Sequence, residues 1–141
     1  MHHLIRLLGF LALMFGLSAP SLASRGIILK TLQGEEVGTY KGSYALLIGV
    51  SDYSGGWPDL EQIPSELDLV EKALNGQGFE VKKTINPDAE ELQAAIEDFI
   101  DQYGYERNNG LLFYYAGHGH TMNNGRKGFL VPTDAPDPRI S

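Results

Sequence analysis

The sequence contains no cysteine, and that absence removes two options for the fold and its chemistry. A chain without thiols cannot build a disulfide framework, so its stability must come from core packing. It also cannot supply a cysteine nucleophile from within its 141 residues.

Basic residues are scarce as well, with 11 Lys and Arg against 18 Asp and Glu and a net charge of −7. A chain this acidic is poorly suited to bind nucleic acid or an anionic membrane surface. We therefore expect no nucleic-acid partner, and a cationic substrate would fit the charge better.

The longest apolar run, residues 7–17, lies near the amino terminus between Arg6 and Pro20. It is about half the roughly 20 residues that a membrane-spanning helix needs. Residues 21–23, Ser-Leu-Ala, form a small-x-small cleavage site, which favours a secretory signal peptide cut after Ala23 over a membrane anchor. We expect an exported protein, periplasmic or secreted, with no membrane association after cleavage.

The remaining chain divides into a short segment and one domain. Residues 24–43 read as a leader or short hairpin with a turn at Gly34, and residues 44–141 read as a single domain. No internal repeat or low-complexity tract is visible.

Strand and helix patterns alternate along the domain. Continuous apolar runs near residues 44–50 and 110–116 are typical of strands covered on both faces, and residues 79–85 form a third strand pattern. Residues 65–78 and 86–104 carry apolar residues at helical spacing. This order predicts an α/β fold, with a mostly parallel sheet and helices as crossovers on both faces.

The helix starts are predicted from capping patterns, and the last elements from turn residues. Ser65 with Asp68 resembles a capping box, and Asn86 is a plausible N-cap with Pro87 at the first helical position. A polar loop at residues 117–128 then leads to a short strand, FLVP.

Polar residues follow the first and third of these strands in chain order. In open α/β sheets, ligands bind beyond the carboxyl ends of the strands. Ser51 and Asp52 follow the strand at residues 44–50 and His118 follows the strand at residues 110–116, so we expect all three on one rim of the sheet.

The turn around His118 has the residue types of a proton-transfer site. An imidazole takes and gives a proton near neutral pH. Gly117 and Gly119 let the backbone turn sharply, and Gly119 could offer its N–H to a developing oxyanion. A polar residue that merely ends a strand remains the alternative.

A second histidine opens another interpretation. His118 and His120 would share one face of an extended backbone and could bind zinc, with Asp134 or Asp52 as a distant third ligand. A phosphate-binding loop is excluded, because the glycine-rich stretch lacks the required lysine and following helix.

Several stretches together resemble the caspase-like cysteine peptidases, especially bacterial members of the metacaspase and paracaspase kind. The resemblance covers residues 44–136 and rests on YALLIGVSDY, LDLVEKALNGQGFEV, LLFYYAGHG and GFLVPTDAP. It implies a three-layer caspase-like fold and cysteine-type endopeptidase activity on peptide or protein substrates. We expect no cofactor and no metal ligands among the site residues. By the same resemblance, His118 matches the catalytic histidine and Gly119 the glycine whose N–H helps form the oxyanion hole.

The chain departs from the family in its missing nucleophile. In the family, the cysteine follows the next core strand, some tens of residues beyond the histidine. We therefore expect a histidine-bearing amino-terminal part of the domain, inactive alone and either truncated or a genuine short form. A non-catalytic peptide-binding or regulatory module and, with less support, a metal-dependent hydrolase remain alternatives.

The substrate preference is partly predicted by the same resemblance. Caspases proper bind aspartate with an arginine just before the first helix, but residues 59–68, DLEQIPSELD, contain no basic residue. Bacterial relatives prefer Arg or Lys and use acidic pocket residues. Asp52, Asp59 and Glu61 lie near the expected rim and could bind such a side chain, with solvation of the loop as the alternative.

Overall fold

The computed structural model describes residues 28–140. The predicted signal peptide and its cleavage site lie outside these residues. Within the described chain, no helix combines the length and apolar character needed to span a membrane.

The described chain forms seven strands and two helices. In chain order they are β1 Ile28–Lys30, β2 Glu36–Thr39, β3 Gly42–Gly49, α1 Ile63–Gly76, β4 Glu80–Ile85, α2 Ala89–Tyr103, β5 Asn109–Ala116, β6 Gly119–Met122 and β7 Lys127–Leu130.

The central sheet has the order β4-β3-β5, and both pairings are parallel. Gly49 at the end of β3 lies opposite Ile85 of β4 and Ala116 of β5, so the three strands end together. Two antiparallel pairs, β1 with β2 and β6 with β7, lie outside this sheet. Strand β6 and the first two residues of β7 occupy half of the region that we expected to be a loop, because two asparagines and Gly125 at positive φ turn the chain back after β6.

Each face of the sheet is covered by one helix. Leu46 and Ile48 of β3 pack against Leu92, Phe99 and Tyr103 of α2. On the opposite face, the buried cluster comprises Ala45, Leu47, Leu67 and Ala116, with Leu67 contributed by α1. Burial on both faces explains why β3 is continuously apolar rather than alternating. The predicted α/β fold, a parallel sheet between helices, is confirmed.

The predicted capping role of Ser65 is wrong. Helix α1 already begins at Ile63, and Pro64 lies in its first turn, where proline needs no hydrogen-bond acceptor and has a suitable φ. Ser65 lies inside the helix, and its hydroxyl donates to the carbonyl oxygen of Gln62 at 2.8 Å.

The predicted capping role of Asn86 is wrong as well. The N-cap of α2 is Asp88, whose carboxylate accepts from the Glu91 N–H at 2.9 Å, while the Glu91 carboxylate accepts from the Asp88 N–H at 3.1 Å. This reciprocal capping box satisfies two otherwise free N–H groups. Asn86 directly follows β4 with a φ of 53°, a conformation that asparagine tolerates better than most residues.

Candidate active site

The rim of the sheet brings the loops after β3 and β5 together. The Val50 N–H donates to the carbonyl oxygen of Ala116 at 2.9 Å, which extends the strand pairing by one residue. Beyond it, the His118 N–H donates to the Tyr53 hydroxyl at 2.8 Å. The structure therefore places His118 beside the loop that carries Asp52, as the topology predicted.

The imidazole of His118 is held at one nitrogen. Its Nε2 lies 2.8 Å from the carbonyl oxygen of Pro58, and a carbonyl oxygen can only accept, so Nε2 carries the hydrogen. No described residue forms a hydrogen bond to Nδ1. In the neutral ring, Nδ1 then has a free lone pair and can accept a proton.

Two aromatic rings border the same imidazole. The ring centroid of Tyr53 lies 4.8 Å from that of His118, and the ring centroid of Trp57 lies 5.2 Å from it. Burial raises the pKa of Tyr53, partly offset by the hydrogen bond from the His118 N–H, so its hydroxyl stays protonated at neutral pH.

The hydroxyl of Tyr115 stabilises the turn that carries His118 through hydrogen bonds. The Tyr115 hydroxyl donates to the carbonyl oxygen of Val131 at 2.8 Å and lies 3.1 Å from that of His118. Burial raises the pKa of Tyr115, so this donor also persists at neutral pH. A Cβ at Gly117 would lie 2.6 Å from the Tyr115 hydroxyl and 2.9 Å from that of Tyr53, so a side chain there would displace both hydroxyls.

Gly119 lies in the open on the other side of His118. The Val131 N–H donates to the carbonyl oxygen of His118 at 3.1 Å, just beyond the first registered pair of the β6–β7 ladder. This is one of the two bonds of a hydrogen-bonded pair, because the His118 N–H donates to Tyr53 instead. Hydrogen-bonded and non-hydrogen-bonded pairs alternate, so the next pair, Gly119 with Leu130, directs the Gly119 N–H away from β7. A Cβ at Gly119 would meet only Phe129 O, at 3.7 Å, so the approach is unobstructed.

Two of the three predicted acidic residues share a surface depression at the same rim. Asp52 and Asp59 line it together with Tyr53, Ser54 and Thr133, and it encloses about 410 Å³. The Asp59 carboxylate accepts from the Tyr53 N–H at 2.8 Å, which fixes the loop. Glu61 is exposed and does not line the depression.

The sequence did not predict that Asn86 holds Asp52 in place by hydrogen bonds. The side-chain oxygen of Asn86 accepts from the Ser51 N–H at 2.7 Å, the Ser51 hydroxyl at 3.0 Å and the Asp52 N–H at 3.2 Å. Its amide nitrogen donates to Oδ2 of Asp52 at 2.8 Å. A lone asparagine between a strand pattern and Pro87 could have been recognised as a rim residue, because β4 ends beside β3.

The residues of this rim lie within a region that matches a known protein family. The family model of the caspase domain matches residues 43–140. The chain belongs to the caspase domain family. A comparison with curated proteins finds none that matches the chain.

The caspase domain contains every residue of the rim described above. The family is one of cysteine peptidases that act on proteins, and the resemblance seen in the sequence is confirmed at this level. The fold, a mostly parallel sheet with helices on both faces, is that of a caspase domain.

The second histidine of the caspase domain faces the same indole as the first. The ring centroid of His120 lies 6.1 Å from that of Trp57. The carboxylates considered as further metal ligands have other partners, Asn86 for Asp52 and the Ala89 N–H for Asp134. Across residues 28–140, no three His, Asp or Glu side chains cluster closely enough to hold a metal ion.

Proposed function

We propose that this caspase domain is the histidine-bearing part of an exported cysteine-type endopeptidase, with His118 as its general base. The observation that carries the proposal is the hydrogen bond from Nε2 of His118 to the Pro58 carbonyl, which leaves Nδ1 free. Export is supported by the apolar run at residues 7–17 and the small-x-small site that follows it.

The proposed reaction uses a thiol that lies outside these 141 residues, because the sequence contains no cysteine. The thiol proton passes to Nδ1 of His118, and the thiolate attacks the carbonyl carbon of the scissile peptide. The Gly119 N–H donates to the resulting oxyanion. The imidazolium then returns its proton to the leaving amine, and water hydrolyses the thioester in a second step with His118 again as base.

The acidic depression favours substrates with a basic residue on the amino-terminal side of the cleaved bond. Asp52 and Asp59 both line it, and no Lys or Arg occurs between residues 52 and 68. A carboxylate pair binds a guanidinium or ammonium group through charge-assisted hydrogen bonds and repels an aspartate side chain. We therefore propose peptides with Arg or Lys at this position as substrates.

Binding can be tested without catalysis. A short peptide amide ending in arginine is titrated into the ¹⁵N-labelled chain, and amide shifts around Asp52 and His118 are expected. Because the Asp52 carboxylate is exposed, Asp52→Asn should weaken binding by up to about fivefold, the upper range for an exposed ion pair. Glu61→Gln, outside the depression, is the matched control and should bind as the wild type does.

The absence of cysteine gives a second test. Incubation of the chain alone with peptides that carry Arg, Lys or Asp should leave all of them intact. Cleavage of the Arg or Lys peptides that disappears in His118→Ala would contradict the thiolate route.

A further inference from the structure

The only tryptophan of the chain lies against the proposed base. Trp57 is 9% exposed, and its ring plane is inclined by 34° to that of His118. The next residue, Pro58, supplies the carbonyl oxygen that accepts from Nε2 of His118. A shift of the indole would therefore move the ring that packs on the imidazole, and also the Pro58 carbonyl oxygen that accepts from it.

No hydrogen bond fixes the orientation of this indole. Nε1 of Trp57 is buried and has no acceptor among the described residues. A buried N–H without an acceptor disfavours the orientation that leaves it unpaired. Something other than hydrogen bonding must therefore keep the ring in place.

A cation lies over the indole. The guanidinium carbon of Arg139 is 5.1 Å from the centroid of the Trp57 ring, a cation–π geometry. The Arg139 side chain is 66% exposed, and its guanidinium is oriented by two bonds to Asp137. Nε lies 2.9 Å from Oδ1 and Nη2 lies 2.7 Å from Oδ2. Asp137 is only 4% exposed, so the carboxylate end of this pair is rigidly held.

The segment that carries this pair is attached to the loop that carries Trp57. The Asp137 N–H donates to the carbonyl oxygen of Gly55 at 2.9 Å, and the Ser54 N–H donates to that of Thr133 at 2.8 Å. Asp137, Arg139 and Trp57 therefore form one connected group, here called the indole clamp. Its indole contacts the imidazole of His118.

We propose that the indole clamp positions His118, so that Trp57, Arg139 and Asp137 keep Nε2 directed at the Pro58 carbonyl and Nδ1 free. The inference deepens the proposed function, on which it rests, by naming positioning residues for the base. Trp57 acts through its contact with the imidazole ring, and Arg139 and Asp137 act through Trp57. Their effect passes through the orientation and tautomer of the imidazole.

The test compares Arg139→Gln with the wild type in the full chain, by two readouts. Tryptophan fluorescence reports on Trp57 alone. Loss of the cation–π contact should raise the population of the displaced indole by up to about fivefold, which appears as stronger acrylamide quenching. The ¹⁵N shifts of labelled histidine, recorded above about pH 8 where imidazoles are neutral, report the tautomer of His118. We expect the form with hydrogen on Nε2 to dominate in the wild type and to lose population in Arg139→Gln.

The controls keep the outcome decisive. Arg126→Gln removes an exposed arginine from the turn between β6 and β7 and should change neither readout. Arg139→Lys keeps the charge but not the planar stack, and it should shift both readouts in the same direction by less. It replaces Arg139→Gln if that variant does not fold.

Unchanged ¹⁵N shifts of His118 in the folded Arg139 variant would overturn the inference, even if quenching rises. The tautomer readout does not involve substrate. A shifted tautomer together with failure of the arginine peptide to bind would reject the proposed function and keep the clamp.

Discussion

Gly55 shows how closely the carboxyl-terminal segment packs on the loop after β3. A Cβ at this position would lie 2.0 Å from the carbonyl oxygen of Ala135, and a backbone atom cannot move aside by rotating a side chain. We predict that Gly55→Ala lowers the free energy of unfolding by about 1–3 kcal/mol, the usual cost of overpacking. Urea denaturation measures the change.

Gly76 provides the matched control for this substitution. It is the last residue of α1, and a Cβ there would meet no atom within 4 Å. Gly76→Ala should leave the free energy of unfolding unchanged or raise it by up to about 1 kcal/mol. An equal loss in both variants would contradict the argument from close packing.

At the residue scale, the sequence predicted the chemical groups better than their partners. His118 and Asp52 could be placed on one rim, because parallel strands in one sheet end together. The Pro58 acceptor could not be predicted, because it is a backbone oxygen and every residue has one. Arg139 could not be assigned either, since its contact with Trp57 depends on how the last loop folds back.

At the scale of elements, Tyr103 links α2 to the strand β4. Its hydroxyl donates to the Glu80 carboxylate at 2.8 Å, and its ring stacks on Tyr44 with centroids 3.9 Å apart. Burial, and secondly the hydrogen bond to Glu80, raises the pKa of Tyr103 from 10.0 to about 12. The protonated hydroxyl is thus favoured by folding.

This pKa predicts how stability falls at alkaline pH. The contribution is fully present below pH 10 and is lost as the pH rises towards about 12, since the unfolded chain loses this proton first. Tyr103→Phe should therefore flatten the decline of unfolding free energy in this window, measured by urea titrations. Tyr105→Phe, at an exposed tyrosine, should keep the wild-type decline, and an identical decline in all three proteins would refute the prediction.

The strands and helices were largely predictable from the sequence, but the residues at which the helices begin were not. Apolar runs and helical spacing identified the strands and helices of the central sheet. The start of α2 was misplaced, because the pattern around Pro87 fits a cap at Asn86 as well as one at Asp88. The hydrogen bonds of Asn86 with Ser51 and Asp52 across the sheet give it another role, which local sequence does not show.

At the scale of the whole molecule, β5 has one partner among the described strands, β3. It carries no charge or proline, and Leu111 and Phe113 are 44% and 47% exposed. Natural proteins usually protect such an edge with lysine or proline. We predict concentration-dependent self-association of the chain through β5.

Sedimentation velocity tests this prediction. Phe113→Lys should reduce the associated fraction, because a charge on the edge opposes pairing with another copy. Leu69→Lys changes a 70% exposed residue of α1 and should leave association unchanged. Equal association of the wild type and Phe113→Lys would show that self-association does not occur through β5.

The central claim is that His118, and not His120, is the base of a caspase-like peptidase site. The most direct measurement is hydrolysis of arginine, lysine and aspartate peptide substrates by the chain fused to the cysteine-bearing remainder of a caspase domain. We predict hydrolysis of the arginine and lysine substrates that falls by at least about 100-fold in His118→Ala, as for loss of a general base, and persists in His120→Ala. Hydrolysis that survives in His118→Ala and disappears in His120→Ala would contradict the account.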